Sequence, residues 1–122
     1  MDLAGKWDLT IEQGATWVRQ FRWEDSTGTA RDISSYTLRM TIRSCYDSSK
    51  ILATSVAPGN ITLALVGGGT GGIFTATMTA ANTALLSFVR AVYDIEAYDT
   101  ATGLVVYRIL QGNVTLEKES TR

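Results

Sequence analysis

DLTIEQGATWVRQFRW, residues 8–23, is the stretch whose reading decides the fold. After Gly14, the side chains of Trp17, Arg19, Phe21 and Trp23 fall on one face and those of Val18, Gln20 and Arg22 on the other. That is the period of two that a pleated strand imposes, not the 3.6 of a helix. A second alternating run precedes Gly14, so the stretch is expected to form a β-hairpin turning at Gln13-Gly14. Trp17, Phe21 and Trp23 are expected in the core. Arg19, on the same face, is expected to stack on an indole or to reach a carboxylate across the sheet.

Outward from this stretch, turn signals recur at Ser26 to Gly28, Ser44 to Ser49, Pro58-Gly59-Asn60, Gly67 to Gly72 and Asp99 to Gly103. The segments between them are rich in Thr, Val, Ile and Tyr, which is the punctuation of an all-β sandwich of about seven or eight strands. The strand candidates are 7–11, 16–23, 37–43, 51–55, 61–65, 73–78, 90–98 and 104–116. Leu38, Met40 and Ile42 are expected inward, with Arg39, Thr41 and Arg43 in water. Phe74, Ala76 and Met78 form a second inward set, and Tyr93, Ile95 and Ala97 face them while Asp94 and Glu96 face solvent. The one helical signal follows Thr79, which can cap a short crossover helix whose Leu85 and Leu86 fold back onto the sandwich.

The last segment is apolar in both parities: Leu104, Val106, Leu110, Val114 and Leu116 share one, and Val105, Tyr107 and Ile109 the other. A strand apolar on both faces is either central or covered by a partner. Gly112 within it marks a bend or a close approach of another backbone, from this chain or from a neighbouring subunit.

With 122 residues, 45% of them apolar and 19% charged, the chain is expected to form one domain over 1–122, ending in a short polar tail. A net charge of -1 supplies no electrostatic footprint for nucleic acid or an anionic membrane. No run approaches the length of a membrane-spanning helix, and the start has no signal-peptide pattern, so synthesis in the cytoplasm is expected. The single cysteine, Cys45, excludes an intrachain disulfide, and the absence of histidine removes the commonest general base.

The motifs that could carry chemistry are weak. Gly67-Gly68-Gly69-Thr70-Gly71-Gly72 superficially matches a phosphate-cradling loop, but a strand rather than a helix follows it and no lysine does, so a mobile hairpin loop is expected. Asp94 and Glu96 share a strand face, as paired catalytic carboxylates would, but a solvated face accounts for them. The oxygen ligands of Asp47-Ser48-Ser49 are sparse for Ca²⁺. Trp7, Tyr46 and Tyr98 are the aromatics available for a sugar-stacking surface. No enzyme activity, metal or cofactor is expected.

The stretch DLTIEQGATW resembles a family of small proteins of tailed bacteriophages and prophages. It is also similar to the immunoglobulin-like N-terminal domain of phage baseplate upper proteins. The resemblance continues in order through Asp32 to Met40 (DISSYTLRM), Tyr93 to Glu96 (YDIE), Leu110 to Leu116 (LQGNVTL) and Ser120-Thr121-Arg122. Two departures are Arg19, where relatives carry an aliphatic residue, and the run LVGGGTGG over 65–72.

The resemblance implies an immunoglobulin-like antiparallel β-sandwich in a bacteriophage virion. The expected function is a non-enzymatic structural one, an adaptor in the tail or baseplate that helps attach fibres or neighbouring tail proteins. The alternatives are a capsid decoration protein and a carbohydrate-binding module that meets host-surface glycans. The expected partners are other virion proteins of the tail, baseplate or capsid, with several copies per particle, and neither nucleic acid nor membrane. The residues expected at such an interface are Val105, Tyr107, Ile109, Gly112, Ser120, Thr121 and Arg122 of the last strand and tail, with Gly69 and Thr70 of the glycine loop.

Overall fold

In the computed structural model, residues 5–25, 27–46, 50–56, 59–103 and 106–118 are described, Val106 by its backbone alone. The described elements are β1 (Gly5–Lys6), β2 (Leu9–Glu12), β3 (Trp17–Arg22), β4 (Tyr36–Arg43), β5 (Ile51–Thr54), β6 (Thr62–Leu65), β7 (Ile73–Met78), α1 (Ala80–Ala84), β8 (Arg90–Asp99) and β9 (Val106–Glu117). β9, β8, β4 and β5 lie side by side in the larger sheet, and β1 and β2 both join the far side of β9. β3, β7 and β6 form the smaller sheet. Ile11, Met40, Ile42, Tyr93, Ile95 and Val114 of one sheet share a core with Trp17, Phe21, Phe74, Ala76 and Met78 of the other. The protein is therefore mainly β and sandwich-like.

Two expectations are corrected. β1 and β2 run parallel to β9, so the larger sheet is mixed rather than antiparallel. Residues 8–23 are not a hairpin, because β2 pairs with β9 while β3 pairs with β7. The apolar faces of both strands cover one core, and from opposite sides of it they bury more than they would as neighbours in a single sheet. The Gly14 turn thus carries the chain from sheet to sheet. Thr83, fully buried on α1, fixes it by donating to the Ala15 carbonyl (2.8 Å) and accepting from the Gly14 N–H (3.1 Å). The helix begins as its sequence indicates, with Thr79 Oγ1 accepting the Asn82 N–H. Leu86 packs inward, but Leu85 remains 81% exposed.

The two apolar parities of β9 have a local cause. β8 pairs Glu96 with Arg108 and Ile95 with Leu110, which leaves Ile109 as an extra residue on β9. Such a bulge shifts the alternation by one, so every side chain beyond it changes face. Before the bulge Tyr107 faces inward, beside Trp23 and Tyr36 (ring centroids 5.7 and 6.0 Å). After it Leu110, Val114 and Leu116 do, and Ile109 itself is 3% exposed. The second apolar set is core displaced by one residue, not a second face.

Gly112 sits after the bulge on the inward parity, opposite Tyr93. A Cβ there would lie 2.2 Å from the Trp7 carbonyl oxygen. That carbonyl crosses the gap between β1 and β2 and accepts the Tyr93 hydroxyl hydrogen at 2.5 Å. Across the same gap Asp8 Oδ1 accepts the Asn113 N–H (3.0 Å), and the Trp7 N–H reaches the Gln111 carbonyl (3.0 Å). The close approach marked by Gly112 is thus made by this chain's own first strand.

The glycine loop is packed, contrary to the expectation of a mobile hairpin loop. Gly69 is buried at φ +88°, within contact of Ile33 and Leu65, and its carbonyl accepts the Ile33 N–H (2.9 Å). Gly72, at φ +72°, lies under the Trp23 and Arg31 carbonyls, each 2.7 Å from where a Cβ would stand. The loop fastens the 23–33 segment to the end of β7. Gly72→Ala and Gly112→Ala should each lower unfolding free energy by about 2–4 kcal/mol in urea titrations. Gly71→Ala, where a Cβ meets nothing within 4 Å, should stay within about 0.5 kcal/mol of the parent.

Candidate functional site

The outward face of the larger sheet collects most of the paired charge. Alternation along β4 turns Met40 and Ile42 into the core and Arg39, Thr41 and Arg43 outward, and register sets Arg39 opposite Glu96 and Thr41 opposite Asp94. The bulge at Ile109 delivers Arg108 to the far side of Glu96. Arg39 grips Glu96 Oε1 through Nη2 (2.6 Å) and Nε (3.2 Å), with its guanidinium 5.5 Å from the Tyr98 ring. Asp94 Oδ2 lies 3.9 Å from both Arg43 Nη1 and Arg108 Nε. A shallow depression of about 530 Å³ adjoins them, with exposed Ile51 and Val56 on its rim and Arg39, Arg43 and Glu96 in its wall.

Asp94 is not the solvated residue that alternation alone suggests: it is only 9% exposed, closed in by the longer side chains around it. Burial, and after it the Glu96 carboxylate, raise its pKa above the ordinary aspartate value, against the pull of Arg108, Arg43 and Arg39. Asp94 and Glu96 do share a face, but each is engaged with arginines, and the arrangement is a cross-strand ion network rather than an acid and base flanking a substrate. Among the described residues no group of three His, Cys, Asp or Glu side chains could hold a metal ion.

Near Asp94 and Arg108, Tyr46 meets Gly112, which the Trp7 backbone also approaches. Trp7 is 54% exposed and carries the Arg19 guanidinium 4.8 Å from its ring centroid, which fulfils the indole-stacking expectation for Arg19. The Tyr46 hydroxyl donates to the Gly112 carbonyl (3.2 Å), and burial raises its pKa. Tyr98 lies at the far end of β8 on Arg39, so the three candidate sugar-stacking aromatics do not form one row. Cys45 is exposed and free.

The residues expected at an interface scatter. Ile109 is in the core, and Tyr107 packs against it. Gly112 is occupied by the chain's own Trp7 carbonyl, and Gly69 is buried under Ile33; of the glycine-loop pair only Thr70 is exposed. Val105, Ser120, Thr121 and Arg122 lie outside the described residues, as do the sparse oxygen ligands at 47–49. β9 is flanked by β8 on one side and, over residues 110–111 and 114–117, by β1 and β2 on the other. The second apolar face expected at Tyr107 and Ile109 is core displaced by the bulge. The sequence reading missed the burial of Asp94 and the open side of β3; the first is signalled by three arginines and two acids at alternating positions of 39–43, 94–96 and 108.

No family model matches the chain, and no curated protein does.

The electrostatics give a pH prediction. A carboxyl whose folded pKa is raised binds its proton more tightly in the native state, so ionised Asp94 opposes folding above its folded pKa. That opposition fades as pH falls and is gone below the unfolded value of about 3.9. Asp94→Asn should therefore raise the melting temperature at pH 7, and the gain should shrink towards zero near pH 3. A loss of stability at pH 7 would mean that the arginine contacts outweigh the burial penalty.

Proposed function

We propose that the chain is a non-enzymatic structural component of a bacteriophage virion, an adaptor in the tail or baseplate that attaches fibres or neighbouring tail proteins. The observation that carries the reading is the strand order, taken with the ordered resemblance of residues 8–17, 32–40, 93–96 and 110–116 to small phage virion proteins. The reading assigns that order to an immunoglobulin-like sandwich of variable type: β3, β7 and β6 as the small sheet, and β9, β8, β4 and β5 as the large one. Such a domain acts through its faces and edges, and the arginine and carboxylate network on the larger sheet suits a polar contact between subunits. The runner-up aromatics do not line up, which favours protein partners over glycans.

The test is composition. Particles purified on a density gradient from the phage or prophage that encodes the chain should contain it in several copies and in fixed ratio to the tail proteins. After heads and tails are separated, it should stay with the tails. Recovery with the heads would replace the adaptor reading by capsid decoration, and absence from particles would end the virion reading.

A further inference from the structure

We propose that the open edge of β3 is a docking site for an extended strand of another protein, one that carries an apolar side chain and, four residues away, a basic one. The inference uses the edge and its surroundings and stands apart from the virion reading.

Among the described residues β3 pairs with β7 on one side and with no strand on the other. The Trp23 N–H donates to the Gly72 carbonyl (2.9 Å) and continues the Phe21–Phe74 register, so odd-numbered residues bond towards β7. The backbone groups of Val18, Gln20 and Arg22 then point the other way. Among the described residues they have no partner. A row of unpaired N–H and C=O groups is a template for strand addition, and proteins ordinarily blunt such rows with short strands, bulges or proline. The other edges are blunted: β5 and β6 have four residues each, a register shift breaks β5 against β4, and the side of β1 and β2 is interrupted at Trp7-Asp8. β3 has six residues, no proline and no bulge.

The surroundings specify the occupant. Two hollows lie along this edge, separated by the Arg19–Trp7 stack. One, of about 350 Å³, is lined by Trp7, Phe21, Ile73 and Leu110 with Gln20, Arg22 and Glu24 beside them, and its mainly apolar wall suits an apolar side chain. The other, of about 300 Å³, is lined by Thr10, Trp17 and Val18, with Glu12, Glu117 and Arg19 as its charged residues. Glu12 and Glu117 are register partners on β2 and β9, and no cation lies within salt-bridge reach of either among the described residues. Like charges set opposite each other repel, and a partner's Lys or Arg would relieve them. Two carboxylates face one guanidinium in this hollow, Arg19 being drawn onto Trp7, while Arg22 meets Glu24 (3.4 Å). From Trp17 to Phe21 is about 13 Å of strand, so residues i and i+4 of an added strand, which share a face, reach both hollows. The β3 of a second copy carries Val18 and Arg22 at that spacing, but its Arg22 is engaged by its own Glu24 (3.4 Å), so the basic residue is assigned to another protein.

The probe is the peptide acetyl-TTLTVTKTT-amide, followed by amide hydrogen exchange in the whole chain. Added at about 1 mM, it should slow exchange at Val18, Gln20 and Arg22 at least tenfold, with little change along β7. The same peptide with Glu in place of Lys should bind at least tenfold more weakly, and Glu12→Lys with Glu117→Lys should reverse that preference. Gln20→Pro removes one outward N–H without touching the β7 ladder; it should abolish binding while circular dichroism and melting stay close to the parent. The proposal is overturned if the peptide fails to bind, or binds without protecting the three amides, or binds regardless of charge. It is equally overturned if the amides are already protected in the free chain, by its own remaining residues, or become so with chain concentration alone, by a second copy.

Discussion

The Tyr93 hydroxyl reaches the Trp7 carbonyl through the space that Gly112 leaves empty, and this contact fastens the first strand to the larger sheet. Tyr93 is 1% exposed, so its hydroxyl requires an acceptor inside the protein, and burial holds the phenol in its neutral, donating form. The Trp7 carbonyl is free to turn inward because the first strand breaks there, Asp8 supplying from its side chain the acceptor that the backbone withdraws. A side chain at residue 112 would block the approach. β1 and β2 are thus held in one parallel register on β9, with the same offset on either side of the break.

That arrangement determines how much of the fold could be read from residues alone. Most strand segments were legible from their alternation and the turn residues between them, and the Thr79 cap announced the helix. The pairing was not legible. DLTIEQGATWVRQFRW has the form of a hairpin, and only the demand that both apolar faces cover one core sends its halves to different sheets. The last strand shows the same limit more sharply. Its two apolar parities are the signature of either a covered face or a shifted phase, and one unpaired residue, Ile109, distinguishes them.

The surface was less legible than the core because alternation reports direction, not depth. Asp94 points outward as its parity requires, yet flanking long side chains close over it, and the bulge that explains β9 also brings Arg108 within reach. One backbone irregularity therefore shapes both the inner packing and the outer charge network. The glycine run was misread for a related reason: glycines at positive φ suit an open turn, but Gly69 and Gly72 also lack the Cβ that would keep Ile33, Trp23 and Arg31 at a distance. Composition alone does not separate freedom of backbone from closeness of approach.

The first strand can close only one of two neighbouring edges. Had residues 5–12 added to β3, the smaller sheet would be covered and β9 would stand open, with its unpaired groups beside the polar tail. The contact of Tyr93 with Trp7 favours the other choice, placing residues 110–117 of β9 between neighbours and leaving β3, among the described residues, paired on one side. Trp7 and Arg19 partly bridge the seam between these edges, but a stacked guanidinium satisfies no backbone N–H or C=O. The exposed edge is in this sense a consequence of the core: the hydrogen bond that a buried tyrosine requires helps hold the first strand on β9 and away from β3.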